Sequence, residues 1–177
     1  MEPFGARWHD LTGEPVETLE VRWDNGGWTA EGRSDSLSCH YALRLSPTWQ
    51  LRQLLLFRDL DEPDLWLATD GHGRWGEMNG AHRTDLDGCS DIAIVGSPFS
   101  LTMPVRRLPL HVGDSAEVHT AEIDTEMLVV LPVHERYTRL TEVRWRKETV
   151  TSAAAIEWEV DEHGLALELD GVFRRVG

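Results

Sequence analysis

The chain has few cysteines and no long hydrophobic run, and both shortages narrow the kinds of protein it can be. Its 177 residues include two cysteines, Cys39 and Cys89, which form no CxxC motif and have no metal-ligand spacing. The longest apolar stretch, around Met127–Val133, has the length of a strand and not of a membrane-spanning helix. The amino-terminal segment, Met1–Pro15, lacks the apolar core of a signal peptide. We therefore expect a cytoplasmic protein with reduced thiols and no transmembrane segment.

Positive charge is also scarce. The sequence carries 17 Lys and Arg residues against 31 Asp and Glu residues, for a formal net charge of -14. A field of this sign repels the phosphates of nucleic acids and the anionic surfaces of membranes. We therefore expect no nucleic-acid partner, and solubility is the simplest use of the acidity.

Sequence motifs of catalysis and of cofactor binding are missing. The chain contains no GxSxG elbow, no P-loop and no GxGxxG segment. His134 begins like a zinc-binding HExxH helix, but Thr138 stands where the second histidine belongs. Asp85, Asp87 and Asp91 offer oxygen ligands for calcium, yet an Asp-Gly turn explains them without a metal. We expect neither a metal ion nor a cofactor.

Helical periodicity is absent over any three turns, whereas alternation of apolar and polar residues recurs along the chain. Leu19, Val21 and Trp23, for example, share one face of a strand that ends at the turn-forming pair Asn25-Gly26. The same reasoning predicts strands at Val16–Trp23, Trp28–Arg33, Cys39–Leu45, Trp49–Arg58, Leu65–Thr69, Ala116–Ile123, Met127–Val133, Tyr137–Val150, Ile156–Val160, Leu165–Leu169 and Val172–Val176.

These strands predict an all-β, mainly antiparallel fold with little helix. A long sheet with one apolar face must cover that face, so it forms a barrel or half-barrel, a roll or a sandwich. Short helical turns are expected only at Ser152–Ala155 and within Pro98–Leu108. Neither a repeat nor a linker divides the chain, and residues 1–177 are predicted to form a single domain.

The segment Asp70–Leu108 interrupts the alternation with glycines, carboxylates, a tryptophan and two adjacent arginines. Long irregular segments within a domain are uncommon and are usually functional or mobile, so we expect the site here. Trp75 follows a glycine-rich turn and fits either the core or the rim of a cleft.

Arg106 and Arg107 are the most informative pair in this segment. On a strand, adjacent residues point to opposite faces, so one of the two guanidinium groups would face the interior of the sheet. A buried guanidinium needs a partner, which is either a carboxylate such as Asp70, Asp87 or Asp91, or the acidic head group of a ligand. The sequence leaves both alternatives open.

The run Ser97–Leu108, SPFSLTMPVRRL, resembles the signature of a bacterial family labelled glycolipid-binding, formerly a domain of unknown function. The likeness extends to Asp70–Trp75, Leu86–Asp91, Arg136–Leu140 and Gly171–Val176. It implies a spiral antiparallel β-roll and binding of a glycolipid-like molecule, and it implies no reaction. Two positions depart from the family's pattern, since Leu101 replaces an asparagine and Glu135 replaces a glutamine.

These observations favour a non-enzymatic protein that binds an amphipathic, glycolipid-like ligand in the concave face of the roll. An enzyme of hydrolase or isomerase type that uses Asp70, Asp87 and Asp91 is the main alternative. A protein-interaction module is the other, and either a monomer or a homodimer agrees with the sequence. No catalytic residue is assigned. The predicted ligand-binding residues are Asp70, Trp75, Asp87, Asp91, Arg106, Arg107 and Tyr137.

Overall fold

One continuous sheet of 14 strands makes up most of the chain in the computed structural model, which describes residues 2–58, 62–152 and 154–177. The all-β prediction is therefore confirmed. The strands are β1 Phe4–His9, β2 Pro15–Asp24, β3 Gly27–Ser34, β4 Cys39–Leu45, β5 Leu51–Phe57, β6 Leu65–Thr69, β7 Trp75–Glu77, β8 Asp91–Ile94, β9 Ser115–Asp124, β10 Val129–Arg139, β11 Arg144–Thr149, β12 Ala155–Val160, β13 Ala166–Leu169 and β14 Phe173–Arg175.

The order of strands in the sheet shows how the chain builds it in two halves. Strands β1 to β7 follow one another outward as antiparallel neighbours, and β9 to β14 do the same on the other side. The halves meet where β1 pairs with β14, and β8 pairs parallel with β9 at the far edge. The sheet is curved, mostly antiparallel and not closed into a barrel, as predicted for a roll or half-barrel.

The two edge strands, β7 and β8, are linked by the main chain of Gly88–Ser90. The Gly88 amide donates to the Gly73 carbonyl oxygen at 2.8 Å, beside β7. The Ser90 amide donates to the His119 carbonyl oxygen of β9, also at 2.8 Å. This short segment therefore joins the two edges of the roll without adding a strand between them.

The concave side of the sheet is filled by side chains and by one helical segment. A 3-10 helix, Pro98–Leu101, runs directly into helix α1, Thr102–Arg107, and both bury apolar residues. The largest fully buried side chains belong to Trp8, Trp75, Tyr41, Tyr137, Phe99, Leu43, Leu51, Leu54, Leu56, Leu67, Leu86 and Ile92. The chain's own side chains therefore occupy the concave interior.

Several local predictions can be compared with the structure. A helical turn within Pro98–Leu108 is confirmed. In Ser152–Ala155, by contrast, Ala155 already belongs to β12, and Ala153 lies outside the described residues. The predicted strand Tyr137–Val150 is split by the turn between β10 and β11. No helix in the described ranges is long and apolar enough to cross a membrane.

Gly32 illustrates how closely the first half of the sheet is packed. Tyr41 lies opposite it in the β3–β4 pair, and a Cβ on Gly32 would be 2.1 Å from Tyr41 Cζ. Tyr41 is 2% exposed and stacks near Phe99, so its ring has little room to move. The Tyr41 ring therefore occupies the space that a side chain at position 32 would need.

We expect Gly32→Ala to destabilise the protein by about 1–3 kcal/mol, because the added methyl group overpacks the core. Thermal unfolding followed by circular dichroism measures the effect. Gly76→Ala is the control, since its Cβ would meet the Ala81 carbonyl oxygen at an ordinary 3.4 Å. Equal melting temperatures for the two variants would contradict this account of Gly32.

Candidate functional site

Arg107 and Asp91 form a buried ion pair at the end of α1. Arg107 Nε donates to Asp91 Oδ1 at 2.8 Å, and Nη2 donates to Asp91 Oδ2. Asp91 is 2% exposed at the start of β8, and burial raises the pKa of its carboxyl group against the opposing effect of Arg107. The sequence left open whether a buried arginine pairs with a carboxylate or with a ligand, and Arg107 pairs with a carboxylate.

The reasoning that placed Arg106 and Arg107 on a strand was wrong. Both are the last residues of α1, where consecutive side chains are about 100° apart around the axis. Arg107 turns toward the sheet and Asp91. Arg106 lies over the indole ring of Trp49, with Cζ 4.9 Å from the ring centroid. The two adjacent arginines therefore have different neighbours because of the rotation between consecutive residues of a helix.

A second group of buried polar side chains surrounds Glu135 on β10. The Thr120 hydroxyl donates to Glu135 Oε2 at 2.7 Å, and the Tyr137 hydroxyl donates to the same oxygen at 3.2 Å. Lys147, the only lysine in the sequence, holds Oε1 at 2.9 Å. Burial raises the pKa of Tyr137 well above its usual value. The buried Glu135 carboxylate thus has a matching cation in Lys147.

The other predicted residues lie in turns or in the core. Asp70 is exposed, and its Oδ1 accepts the amides of His72 and Arg74, which lowers the pKa of the carboxyl group. Asp87 Oδ1 lies 2.8 Å from His82 Nε2. Asp70, Asp87 and Asp91 therefore have separate partners, unlike an acid–base pair that shares a cleft.

Trp75 belongs to the packed interior. It is 1% exposed, and its Nε1 donates to the Cys89 carbonyl oxygen at 3.0 Å. That bond ties β7 to the segment before β8. The sequence allowed Trp75 to lie either in the core or at the rim of a cleft, and the structure places it in the core.

A groove about 590 Å³ in volume lies beside Arg106, and we call it the Arg106 groove. It is lined by Val105 and Arg106 of α1 and, across from them, by Arg139, Val143, Trp145 and Asp161, among others. Apolar side chains and charged groups are therefore combined in one depression, a common composition for ligand sites.

The position of Arg106 in this groove is closely defined. Its stem packs against Gly164, where a Cβ would come within 2.9 Å of Arg106 Cδ. The ring of Trp49 lies on its other side, and Trp49 adopts a left-handed backbone with φ of 64° in the β4–β5 turn. Bulky residues rarely take this conformation, which requires support from the surrounding structure. Burial lowers the pKa of Arg106.

Glu17 is a buried carboxyl group that the sequence analysis did not identify. It is 1% exposed on β2, and its Oε1 accepts the Phe99 amide at 3.2 Å. Oε2 and the Tyr41 hydroxyl have no hydrogen-bond partner among the described residues. Burial raises the pKa of Glu17 to about 7, and the hydrogen bond from the Phe99 amide opposes this shift. The signal was available, because Glu17 shares the alternating face of Leu19 and Val21.

Comparisons with known proteins agree with this fold. A family model described as "Putative glycolipid-binding" matches residues 5–175. The crystal structure of a DUF1089 family protein from Pseudomonas aeruginosa is similar, with 30% sequence identity and a TM-score of 0.78. The similarity covers 91% of this chain and 92% of that one. Comparison with curated proteins gives no significant match.

We expect Glu17→Gln to remove a pH dependence of stability. The folded pKa of about 7 exceeds the ordinary 4.5, so the folded state holds the proton more tightly and stability falls as pH rises between these values. The full shift is worth about 3 kcal/mol, and the loss is complete above pH 7.

Urea unfolding from pH 4 to 8.5 measures this effect, with Glu20→Gln as a control for removing an exposed carboxylate from the same strand. The stability of Glu17→Gln relative to the native protein should rise across the window. A constant difference over the whole range would show that folding does not raise the pKa of Glu17.

We expect Arg107→Met to cost about 3–5 kcal/mol, because it leaves the Asp91 carboxylate buried without a cation. The double variant Asp91→Leu/Arg107→Met should recover most of this loss, since apolar groups then replace both charges. Chemical denaturation measures both variants. A single variant as stable as the native protein would mean that the pair carries little stability.

Proposed function

Because the chain belongs to the family described as glycolipid-binding, we propose that it is a non-enzymatic binding protein for an amphipathic, glycolipid-like ligand held in the Arg106 groove. The description of the family supports this class of ligand, and the geometry of the chain supports its location in the groove. Sequence reasoning had put the ligand in the concave face, which is occupied by the chain's own aromatic and aliphatic side chains.

The observation that carries this proposal is the unpaired guanidinium of Arg106. Among the described residues it has neither a hydrogen bond nor an ion pair, although it is partly desolvated between Trp49 and Gly164. Arg106 is exposed, and Trp49 and Gly164 hold its side chain in one position, so the guanidinium can pair with a ligand's head group at little cost in ordering. An acidic or hydroxylated head group meets this need.

The walls of the groove fit the rest of an amphipathic molecule. Val143 is 46% exposed and Val105 is partly buried, so both offer apolar surface to a ligand. The volume of about 590 Å³ falls within the usual range for small-molecule sites. An alkyl chain can therefore lie along the valines while its head group meets Arg106.

Acidic groups at the same groove narrow the choice of head group. Glu142, Asp161 and Glu162 line it with Arg106, in a chain of net charge -14. Sugar hydroxyls donate to carboxylates and accept from guanidinium groups, whereas a phosphate is repelled by the acids. A sugar that carries at most one negative charge is the best match.

Both cysteines are free thiols, which fits a reducing compartment, and we place the protein in the cytoplasm.

We expect octyl glucuronide to bind below its micelle concentration and Arg106→Met to weaken this binding at least about tenfold, since the charge-assisted bonds to the head group are lost. Isothermal titration calorimetry measures the affinity. Arg144→Met is the matched control, because it removes an exposed arginine that pairs with Glu157 outside the groove. Unchanged affinity in Arg106→Met, or no binding of the detergent, would overturn the proposal.

A further inference from the structure

We propose that a second, smaller cavity, on the Arg107 side of α1, binds an uncharged sugar ring. This inference deepens the proposed function, because it gives the hydroxylated part of an amphipathic ligand a place of its own. The cavity measures about 180 Å³, and we call it the Arg107 cavity. Gln50, Thr69, Gly71, Gly73, Gly88 and Arg107 are among its lining residues.

Glycines form much of the cavity's wall, so that two main-chain segments lie close together. The Gly88 amide donates to the Gly73 carbonyl oxygen, and a Cβ on Gly73 would be 3.3 Å from Gly88 Cα. Gly71, Gly73 and Gly88 all have positive φ, near 81°, 90° and 90°. Side chains at these positions would strain the backbone and narrow the space. The cavity is thus a consequence of the same contact that joins the two edges of the sheet.

Arg107 brings hydrogen-bond donors to this space without bringing net charge. Its Nε and Nη2 are bound to Asp91, and Nη2 also lies 3.3 Å from the Ser90 hydroxyl. Nη1 has no hydrogen-bond partner in the part of the chain that the structure describes, and the side chain is 18% exposed. Because Asp91 neutralises the guanidinium, the remaining N–H groups attract a neutral oxygen acceptor more than an anion.

The other polar groups of the cavity suit a hydroxylated ligand. Gln50 contributes an amide that both donates and accepts, Ser90 and Thr69 contribute hydroxyls, and the exposed His72 contributes an imidazole. Each of these groups can pair with a sugar hydroxyl in either direction. The volume is well below the range for drug-sized molecules, which favours one ring and excludes an alkyl chain alongside it.

The test uses methyl glycosides of glucose, galactose and mannose, which have no alkyl tail, with inorganic phosphate as the competing ligand class. Amide chemical shifts in ¹H–¹⁵N spectra of the full chain report where a ligand binds. We expect at least one glycoside to shift the amides of Gly71, Gly73 and Gly88, and phosphate to leave them unchanged.

Arg107→Lys keeps a cation beside Asp91 but removes the planar fork, so glycoside affinity should fall at least about tenfold while the fold persists. Gln50→Leu, which leaves the ion pair intact, should also weaken binding and covers the case in which the lysine variant does not fold. Arg144→Met is the control, because it removes an exposed arginine that lines neither the Arg106 groove nor the Arg107 cavity, and it should bind the glycoside like the native protein.

Four outcomes would overturn the inference: no glycoside shifts the three glycine amides, phosphate shifts them instead, Gln50→Leu binds like the native chain, or the shifts appear only around the Arg106 groove. The last outcome would leave the proposed function standing, because the detergent titration tests the Arg106 groove separately. If the detergent does not bind but the glycoside shifts the three glycine amides, the Arg107 cavity is supported and the proposed role of the Arg106 groove is overturned.

Discussion

The pairing of Arg107 with Asp91 is the interaction on which the arrangement of the rim depends. It fixes the last turn of α1 against the first residue of β8, at the edge of the sheet that no other strand covers. Arg106 precedes this anchored residue, so its direction over Trp49 follows from the same contact. The Arg106 groove and the Arg107 cavity are therefore two sides of one fixed helix end. A buried ion pair is weak evidence of added stability, but it specifies position well here because both partners are held by the backbone.

The helical segment is fastened at its other end by a different kind of contact. The Phe99 amide reaches Glu17 on β2, in the first half of the sheet, whereas Asp91 belongs to the second half. One short segment thus joins both halves across the concave side. The Asp91 end is a compensated ion pair, while the Glu17 end has no cation and depends on keeping a proton. Burial raises the pKa of both carboxyl groups, but Arg107 opposes the shift at Asp91, and the Glu17 contact weakens as the pH rises toward 7.

Much of the fold could be predicted from the sequence because alternation is a local property. Leu19, Val21 and Trp23 show it within one strand, and the Asn-Gly pair that follows specifies the hairpin. The pairing of β1 with β14 is a different matter, since it joins the two ends of the chain and leaves no local pattern. The same holds for Gly88 and Gly73, whose hydrogen bond links the segment before β8 to the segment before β7. Long-range contacts of this kind are set by the summed packing of the sheet and not by neighbouring residues.

The candidate site was predicted less well, and the reason is geometric. A short helical turn was expected within Pro98–Leu108, but Arg106 and Arg107 were interpreted with the period of a strand. A helix turns consecutive residues by about 100° and a strand by about 180°, so the same two arginines have different neighbours in each case. With strand geometry, one arginine faces the core and the other faces solvent. With helical geometry, both remain near the rim, one against a carboxylate and the other against an aromatic ring. The helix end therefore presents two adjacent surfaces, a neutral one at Arg107 and a cationic one at Arg106. An amphipathic ligand with a hydroxylated head group can form hydrogen bonds with both.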